Sequence, residues 1–585
     1  FYLPPAYGNS HFYSAIPTEC SAVLVQQPAF VLESSTAFHI ASPNPTTGDF
    51  IVRARVALTP YFNDVTERTP YYFKRHAIQN SLYGVDIDAG AVEIAKLRLW
   101  LSLVVDEEDV QQIKPLPNLD YKIVTGSSLM RVEKTLFNND QFKKLEELKP
   151  KFFDESDRKK KADYKRQIEK LIQTLTNGLE TFDFEIYFSE VFHAKGGFDV
   201  VIANPPYISY GLRGGQKMTK EDKEYLKQVF ADSAEYKISM YAIFMELGVR
   251  LSSKTNGVSC FIVPDSFVLG MYFSKIRALV LRECDIRQIV LLPFKVFKAD
   301  VGFSVVYLFD RNAGNHATNA LRSITTTSCD ALERRRLAEF SYPQGYFHRQ
   351  RRSKFRLFFE QRTYDIVEKC RIKATALENV VGFSSGLIGI DGQDAIISDS
   401  KRGAKWLPGV LSGGDILKFI VQPTGAHILY DKAHIKSGYD CVDYAAPKLF
   451  MRQTGDTLIC AYDPDGLLCI NNVHVGNGKS ANTNLKFVCG LLNSKLMNFF
   501  YQAVSLEVGR VMPQTDIETL DDLPIKHDSV AEAEIARLTD DSIKCLKAGQ
   551  TAAAKALAEK IDQVVYKLYG INAAEEAFVE KMVKL

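Results

Sequence analysis

The chain carries almost no net charge. Its 72 Lys and Arg stand against 70 Asp and Glu over 585 residues, leaving +2, so bulk charge implies no polyanionic partner. Ten cysteines run from Cys20 to Cys545 without a Cys-x-x-Cys pair. That removes the spacing of a zinc site or a disulfide framework and leaves the thiols as reduced core residues; no metal is expected. No stretch reaches the roughly 18 uninterrupted apolar residues of a membrane helix, and the start at Phe1 lacks a basic region ahead of an apolar core, so the expected location is the cytoplasm. Internal repeats and low-complexity segments are missing as well. What remains is a globular composition, 46% hydrophobic and 24% charged, in a chain too long for one core.

From Tyr83 to Tyr307 short apolar runs alternate with amphipathic ones. "LYGVDID", "DYKIVTGSSL", "GFDVVIANPPY", "GVSCFIVPDSF", "IRQIVLLPF" and "FSVVYLFD" read as strands, and "AGAVEIAKLRLWLSLVVDE" as a helix with Val92, Ala95, Leu99 and Leu103 on one face. This alternation predicts an α/β, mostly parallel, doubly wound sheet. The Lys- and Glu-rich stretch over about 140–180 predicts a solvated helical insertion, whose lysines are also candidates for phosphate contact. Basic residues crowd a later stretch, with Arg334, Arg335, Arg336, Arg349, Arg351, Arg352, Lys354 and Arg356 around Tyr346 and Phe347. Basic side chains with interleaved aromatics suit nucleic acid, and a solvated linker has the same composition. Gly-rich, strand-like pieces over 376–526 predict a separate α+β module. A helical tail from about Ser529 is expected to end near Gly570, a good C-cap residue.

Directly behind the apolar run Val200-Val201-Ile202 stands Asn204-Pro205-Pro206-Tyr207. The β-branched run reads as a strand buried on both faces, and the two prolines end it in a stiff, extended peptide. That places fixed hydrogen-bond acceptors at the carboxyl end of a strand, where ligands of open α/β sheets sit. An amino group on an aromatic ring is a poor nucleophile because its lone pair is delocalised. The Asn204 side-chain oxygen and the Pro205 carbonyl can take its two N–H bonds and favour a pyramidal nitrogen, while Tyr207 stacks on the ring as on a flipped-out base. Asn-Pro-Pro also occurs in ordinary turns; the preceding strand favours the functional reading. Asp86, ending its own strand, stands where an acid binds the ribose of an adenosine cofactor, or it caps the next helix. Phe297, ahead of the last strand, is either the far wall of a base pocket or a core residue.

These residues resemble the γ-class N6-adenine DNA methyltransferases of the type IIG restriction-modification type, with a TaqI-like C-terminal specificity domain. "YGVDIDAGAVEIAKLRLWLSL", "PLPNLDYKIVTGSSL", "GGFDVVIANPPYISY" and "SKIRALVLRECDIRQIVLLPFKVF" are similar to successive family blocks in order, and "GLLNSKLMNFFYQ", "GRVMPQTDIETLDDLPI" and "IDQVVYKLYGI" to the specificity domain and its closing helices. The resemblance implies a Rossmann-like methyltransferase sheet over 1–330, a basic linker over 331–375, a target-recognition domain over 376–526 and C-terminal helices over 527–585. It implies S-adenosylmethionine as methyl donor and a flipped adenine of double-stranded DNA as acceptor, in a restriction-modification or phage-defence system. By position Asp86 would bind ribose and Ile87 pack on the cofactor adenine, Asn204, Pro205, Pro206 and Tyr207 would form the acceptor site, and Phe297 would stack on the base.

The chain also departs from the pattern. Leu3 stands for the threonine of a Phe-Tyr-Thr-Pro block, and Ser42 and Thr46 replace the acid and first glycine of a Gly-rich block in which Gly48 and Phe50 fit. Ser127 takes the place of an Asn or Asp near the cofactor adenine, and Ser239 that of the Asp in Asp-Leu-Tyr. A catalytically weakened recognition subunit therefore stands as an alternative. So does a protein-glutamine or RNA methyltransferase, which needs no recognition module of this size. DNA contacts are assigned to Arg349, Arg351, Arg352, Arg452 and Arg510, with Gln453 and Gln514 as further candidates to read base edges. No Asp with a Glu-x-Lys in strand context suggests a nuclease, since Glu147-Leu148-Lys149 and Glu221-Asp222-Lys223 lie in helical stretches. If the whole system cleaves DNA, its nuclease is expected upstream of Phe1 or on another chain, with other defence-system subunits as candidate partners.

Overall fold

The computed structural model describes residues 75, 77–104, 117–130, 139–176, 178, 181–210, 218–255, 257–297, 302–422, 424–510 and 512–583. The expected positions Leu3, Ser42, Thr46, Gly48 and Phe50 lie outside them. The chain divides into two units: Val305–Leu321 and Pro343–His348 join the chain up to Val290, and Leu291–Ser304 and Arg322–Tyr342 join Arg349–Leu585.

In the first unit β1 (Gly84–Asp86) leads into α1 (Ala89–Val104), followed by β2 (Ile123–Thr125). Asp88 starts α1 by accepting the Gly90 N–H at 2.7 Å, which satisfies an otherwise orphaned donor. Val92 and Leu103 bury against Ile78, Leu119 and Ile123, with Ala95 and Leu99 partly covered, so the helical face is the one the spacing predicts. β1 and β2 pair in parallel, Asp86 opposite Thr125. The turn after β2 needs Gly126: a Cβ there would lie 2.4 Å from Phe182 Cβ.

The charged insertion folds as α2 (Asn139–Asp154) and α3 (Arg158–Leu175). Its apolar face is not solvated. Leu145, Leu148, Phe152, Ile168 and Ile172 close a core with Tyr121 and Ile186, because helical spacing collects the scattered apolar residues into one stripe.

After α4 (Ser189–Lys195), β3 (Val200–Ala203) pairs in parallel with β4 (Gly257–Pro264), Ala203 opposite Phe261. With β5 (Cys284–Leu292) and β6 (Ser304–Arg311), β3-β4-β6-β5 are successive neighbours in a six-stranded sheet. Two expectations are corrected here. The parallel strands do not form one continuous ladder: β1 and β2 are a separate pair, joined to the start of β3 by side chains, with Tyr83 and Phe198 ring centroids 5.6 Å apart. And β3 is not buried on both faces. Val201 packs with Phe198, Leu247 and Leu251, whereas Ile202, on the other face, is 45% exposed; among the described residues β3 is an edge strand, laddered to β4 alone.

The second unit holds an antiparallel sheet of β7 (Val381–Ser385), β8 (Lys448–Arg452), β9 (Cys460–Asp463) and β10 (Val473–Gly478), ordered β7-β10-β8-β9. Phe450 and Val475 share a core with Ile428 and Leu468 from a second four-stranded sheet. Helices α6 (Leu485–Leu492), α7 (Lys495–Ser505), α8 (Ser529–Lys547) and α9 (Thr551–Tyr569) follow. Gly570, at φ +69°, caps α9 as its lack of a Cβ allows. The helical tail does not end there, since α10 (Ala573–Met582) continues it behind an Asn572–Glu575 capping box.

The stretch 331–375 contains strand Ala338–Pro343 and helix α5 (Gln361–Arg371). Among the described residues no helix is long and apolar enough to cross a membrane. Five of their nine cysteines are buried, Cys284, Cys370, Cys460, Cys469 and Cys489, but Cys329 and Cys441 are exposed and do not fit the expected core role.

Candidate active site

The prolines do what their backbone chemistry demands. β3 stops at Ala203, Asn204 is exposed, Pro205 buried and Pro206 exposed. The Asn204 side chain forms no hydrogen bond with another described residue, so its amide oxygen is open to an incoming donor. Behind it the chain is fastened: Ile208 accepts the Met240 N–H at 2.9 Å, and Ser209-Tyr210 pairs antiparallel with Ile238-Ser239.

Tyr207 is half-buried and donates its hydroxyl to the Ile262 carbonyl of β4 at 3.1 Å, so a neighbouring strand holds the ring. Burial pushes its phenol up to about 12; at neutral pH it is a donor. Tyr241 meets Tyr207 edge-on at 6.2 Å, stacks on Phe273 at 5.2 Å and shares a 2.7 Å hydrogen bond with Ser266 Oγ. Sequence reasoning passed over Tyr241. Its available signal was a tyrosine two residues beyond Ser239, which is itself buried in the short ladder. A second overlooked feature is Tyr236, 77% exposed, stacked at 5.8 Å on Tyr272 with Lys237 Nζ 4.9 Å from that ring.

The expected cofactor residues gather at the carboxyl ends of β1 and β2. Asp86 is exposed, and its Oδ1 accepts the Asp88 N–H at 2.8 Å, which leaves Oδ2 for a ligand hydroxyl. The capping role belongs to Asp88. Ile87 is 78% exposed, an apolar side chain left largely open among the described residues. Ser127, half-buried, follows Gly126, whose N–H is donated to the Asp86 carbonyl at 2.9 Å. An open carboxylate beside an uncovered branched side chain fits a ribose diol with an adenine ring above it. Phe297 is half-buried and falls in the second unit.

The basic residues have other engagements. Arg349 pairs with Glu368 at 3.1 Å, Arg351 with Glu378 and Asp521, both at 3.1 Å, and Arg352 with Glu518 at 2.5 Å. Lys354 and Arg356 are buried against Glu518 and Asp522. The stretch thus clasps the acidic segment Asp516–Asp522. Arg452 donates to the Gly413 and Ile416 carbonyls, each at 2.8 Å, and Arg510 pairs with Glu507 at 3.1 Å and lies 5.2 Å from the Phe303 ring. Replacing Arg351 and Arg352 together by alanine is therefore expected to lower stability by about 1–2 kcal/mol, as for part-exposed pairs, and to leave the salt dependence of DNA binding unaltered. The check is a denaturant titration beside a plot of log affinity against log salt, where each lost phosphate contact would flatten the slope by about one.

Lys149 of the Glu147-Leu148-Lys149 run is buried against Glu190 at 2.8 Å, as a core cation and not beside a carboxylate pair. Among the described residues no three His, Cys, Asp or Glu side chains gather as a metal-binding group.

Two parts of the chain match known families. Residues 80–297 match the family described as Eco57I restriction-modification methylase, and residues 409–525 the TaqI-like C-terminal specificity domain. The chain is 24% identical over 603 residues to a Methanocaldococcus jannaschii protein named as a type II restriction enzyme and methyltransferase, an alignment covering 84% of this chain and 49% of the relative. It therefore spans about half the length of that curated protein. In structure it is similar to the type IIL restriction-modification enzyme MmeI, solved in complex with DNA, with TM-score 0.50 and 11% identity over 95% of this chain and 79% of that one. A nuclease-deletion mutant of the type ISP enzyme LlaGI gives TM-score 0.48 and 11% identity over 91% and 46%.

Proposed function

From a chain that joins an Eco57I restriction-modification methylase domain to a TaqI-like C-terminal specificity domain, we propose a site-specific DNA methyltransferase that acts on adenine N6 with S-adenosylmethionine as donor. The observation that carries the reading is Asn204, exposed at the end of β3 with its amide uncommitted, just ahead of a buried proline and a tyrosine whose ring is tied to β4. A flipped adenine offers two N–H bonds from its amino nitrogen. Asn204 Oδ1 and the Pro205 carbonyl take them, which orients the lone pair away from the ring plane. Tyr207 supports the base face.

The donor supplies an electrophilic methyl group on sulfur. Asp86 would hold its ribose and Ile87 and Ser127 would border its adenine, with Gly48 the expected contact from the Gly-rich block. As the N–CH3 bond forms the S–CH3 bond breaks, and the nitrogen passes one proton to solvent. The second unit supplies target recognition, with Arg349 the most exposed of the arginines assigned to DNA. Its size argues against a protein-glutamine or RNA substrate. A recognition subunit that has lost transfer is the competing reading, supported by Leu3, Ser42 and Thr46.

The test is transfer of labelled methyl from S-adenosylmethionine to unmethylated duplex DNA, with the product hydrolysed to nucleosides. Label in N6-methyldeoxyadenosine is expected. Label on cytosine would refute the adenine assignment, and no label while both DNA and cofactor are bound would establish the recognition subunit.

A further inference from the structure

The amino ends of the same strands enclose a different site. A cavity of about 290 Å³ is lined by Tyr83, Tyr121, Lys122, Lys149, Glu190 and Phe198, among others. Tyr83 immediately precedes β1, Lys122 precedes β2, and Phe198 lies two residues before β3. The cavity thus sits across the strands from Asp86, Ser127 and Asn204, which follow or end them, and the acceptor chemistry makes no use of it.

Its charges are unevenly matched. Glu190 is the carboxylate between two ammonium groups, the buried Lys149 and the part-buried Lys122. One of its oxygens accepts the Tyr83 hydroxyl at 3.1 Å and the other accepts Lys149 at 2.8 Å, while Lys149 also donates to the Tyr187 carbonyl at 2.5 Å. Lys122 Nζ is left 3.9 Å from Glu190 and 3.8 Å from the Tyr83 ring centroid, and donates no hydrogen bond to any described residue. The other acids of the rim face elsewhere: Glu146 meets His193 at 2.7 Å and Asp199 meets Lys195 at 2.7 Å. The wall also carries a tyrosine hydroxyl, that of Tyr121, which is buried with no partner.

A part-buried ammonium whose carboxylate partner lies 3.9 Å away can still donate its N–H bonds to an incoming acceptor. Burial pushes Lys122 down to about 8, which still leaves it mostly an ammonium near neutral pH, a cation ready for an incoming anion. The walls beside it are rings: Tyr83, Phe152, Phe153 and Phe198.

We infer that this cavity binds a small organic anion, a carboxylate or phosphate ester on an aromatic body, with Lys122 as its charged contact. The volume is that of a small-molecule site and too small for a polymer. The inference goes beyond the proposed methyl transfer and does not depend on it.

The test is calorimetric titration of the full chain with phenyl phosphate, inorganic phosphate and benzyl alcohol. Phenyl phosphate should bind saturably, one per chain, inorganic phosphate more weakly because the rings go unused, and benzyl alcohol not at all. Lys122→Met should weaken phenyl phosphate by about tenfold or more, the loss of a charge-assisted hydrogen bond. In the unaltered protein phenyl phosphate should shield Lys122 from acetic anhydride, read by peptide mass spectrometry. That second measurement decides the matter even where Lys122→Met fails to fold. No saturable binding, equal affinity for inorganic phosphate, undiminished affinity in Lys122→Met, or an unshielded Lys122 would each overturn the assignment.

Discussion

Asn204→Ala is expected to cut the methyl-transfer rate by about 10²–10³-fold, the scale of removing one preorganised polar contact from a transition state, with DNA affinity and melting temperature unchanged. The stability half follows from the structure: Asn204 is exposed and its side chain engages no described residue, so its loss leaves no cavity and no orphaned partner. The rate half follows from the proposed chemistry. With one of two acceptors gone, the amino nitrogen is held by the Pro205 carbonyl alone and keeps its lone pair in conjugation. That carbonyl is backbone and survives every substitution, so a residual rate should persist. Asn204→Asp, which keeps an oxygen in place, should fall between. Single-turnover rates at saturating DNA and cofactor measure the effect directly. Full activity in Asn204→Ala would remove the motif from the mechanism.

A larger effect on stability is expected in the second unit. Lys448 and Asp463 face each other across β8 and β9, 2.6 Å apart and at most 1% exposed. Lys448 also donates to the Tyr444 carbonyl at 2.8 Å, and Asp463 accepts the N–H groups of Asp465 and Leu467, each at 2.9 Å. Lys448→Met should destabilise by about 3–5 kcal/mol, because it strands a buried carboxylate, and that is a large share of the roughly 5–15 kcal/mol that holds a domain folded. Adding Asp463→Asn should recover part of the loss, since the second change removes the stranded charge. A chemical denaturation midpoint reads both. A Lys448→Met protein as stable as the parent would mean that water reaches the pair.

The acceptor motif was legible because its information is local. Three β-branched residues followed by two prolines dictate an extended peptide after a strand wherever they occur, and the structure ends β3 at Ala203 as that reading requires. The same holds for α1, whose apolar spacing is written in consecutive turns, and for Gly570 at the end of α9. The exposed face of Ile202 was not legible. A strand's residues report what they tolerate, and the number of neighbouring strands is set by other segments.

The basic stretch shows the same division more sharply. Read alone, Arg349 to Arg356 suits a polyanion. The acids that occupy Arg351 and Arg356 lie 170 and 166 residues further on, and no local pattern announces them. Lys149 is similar: a lysine in a charged helical run reads as solvated, until the fold turns it inward onto Glu190.

The sequence by itself determined the short strands, the amphipathic helices and the stiff Asn204-Pro205-Pro206-Tyr207 peptide at a strand's end, because backbone stiffness and apolar spacing act between residues a few positions apart. The tertiary structure alone decided which charges are available to a ligand. Ion pairing and burial depend on groups that only folding brings within a few ångströms, and these committed the guanidinium groups of Arg351, Arg352 and Arg452 to the protein while leaving Lys122 facing a cavity, 3.9 Å from Glu190 and without a hydrogen-bond acceptor among the described residues.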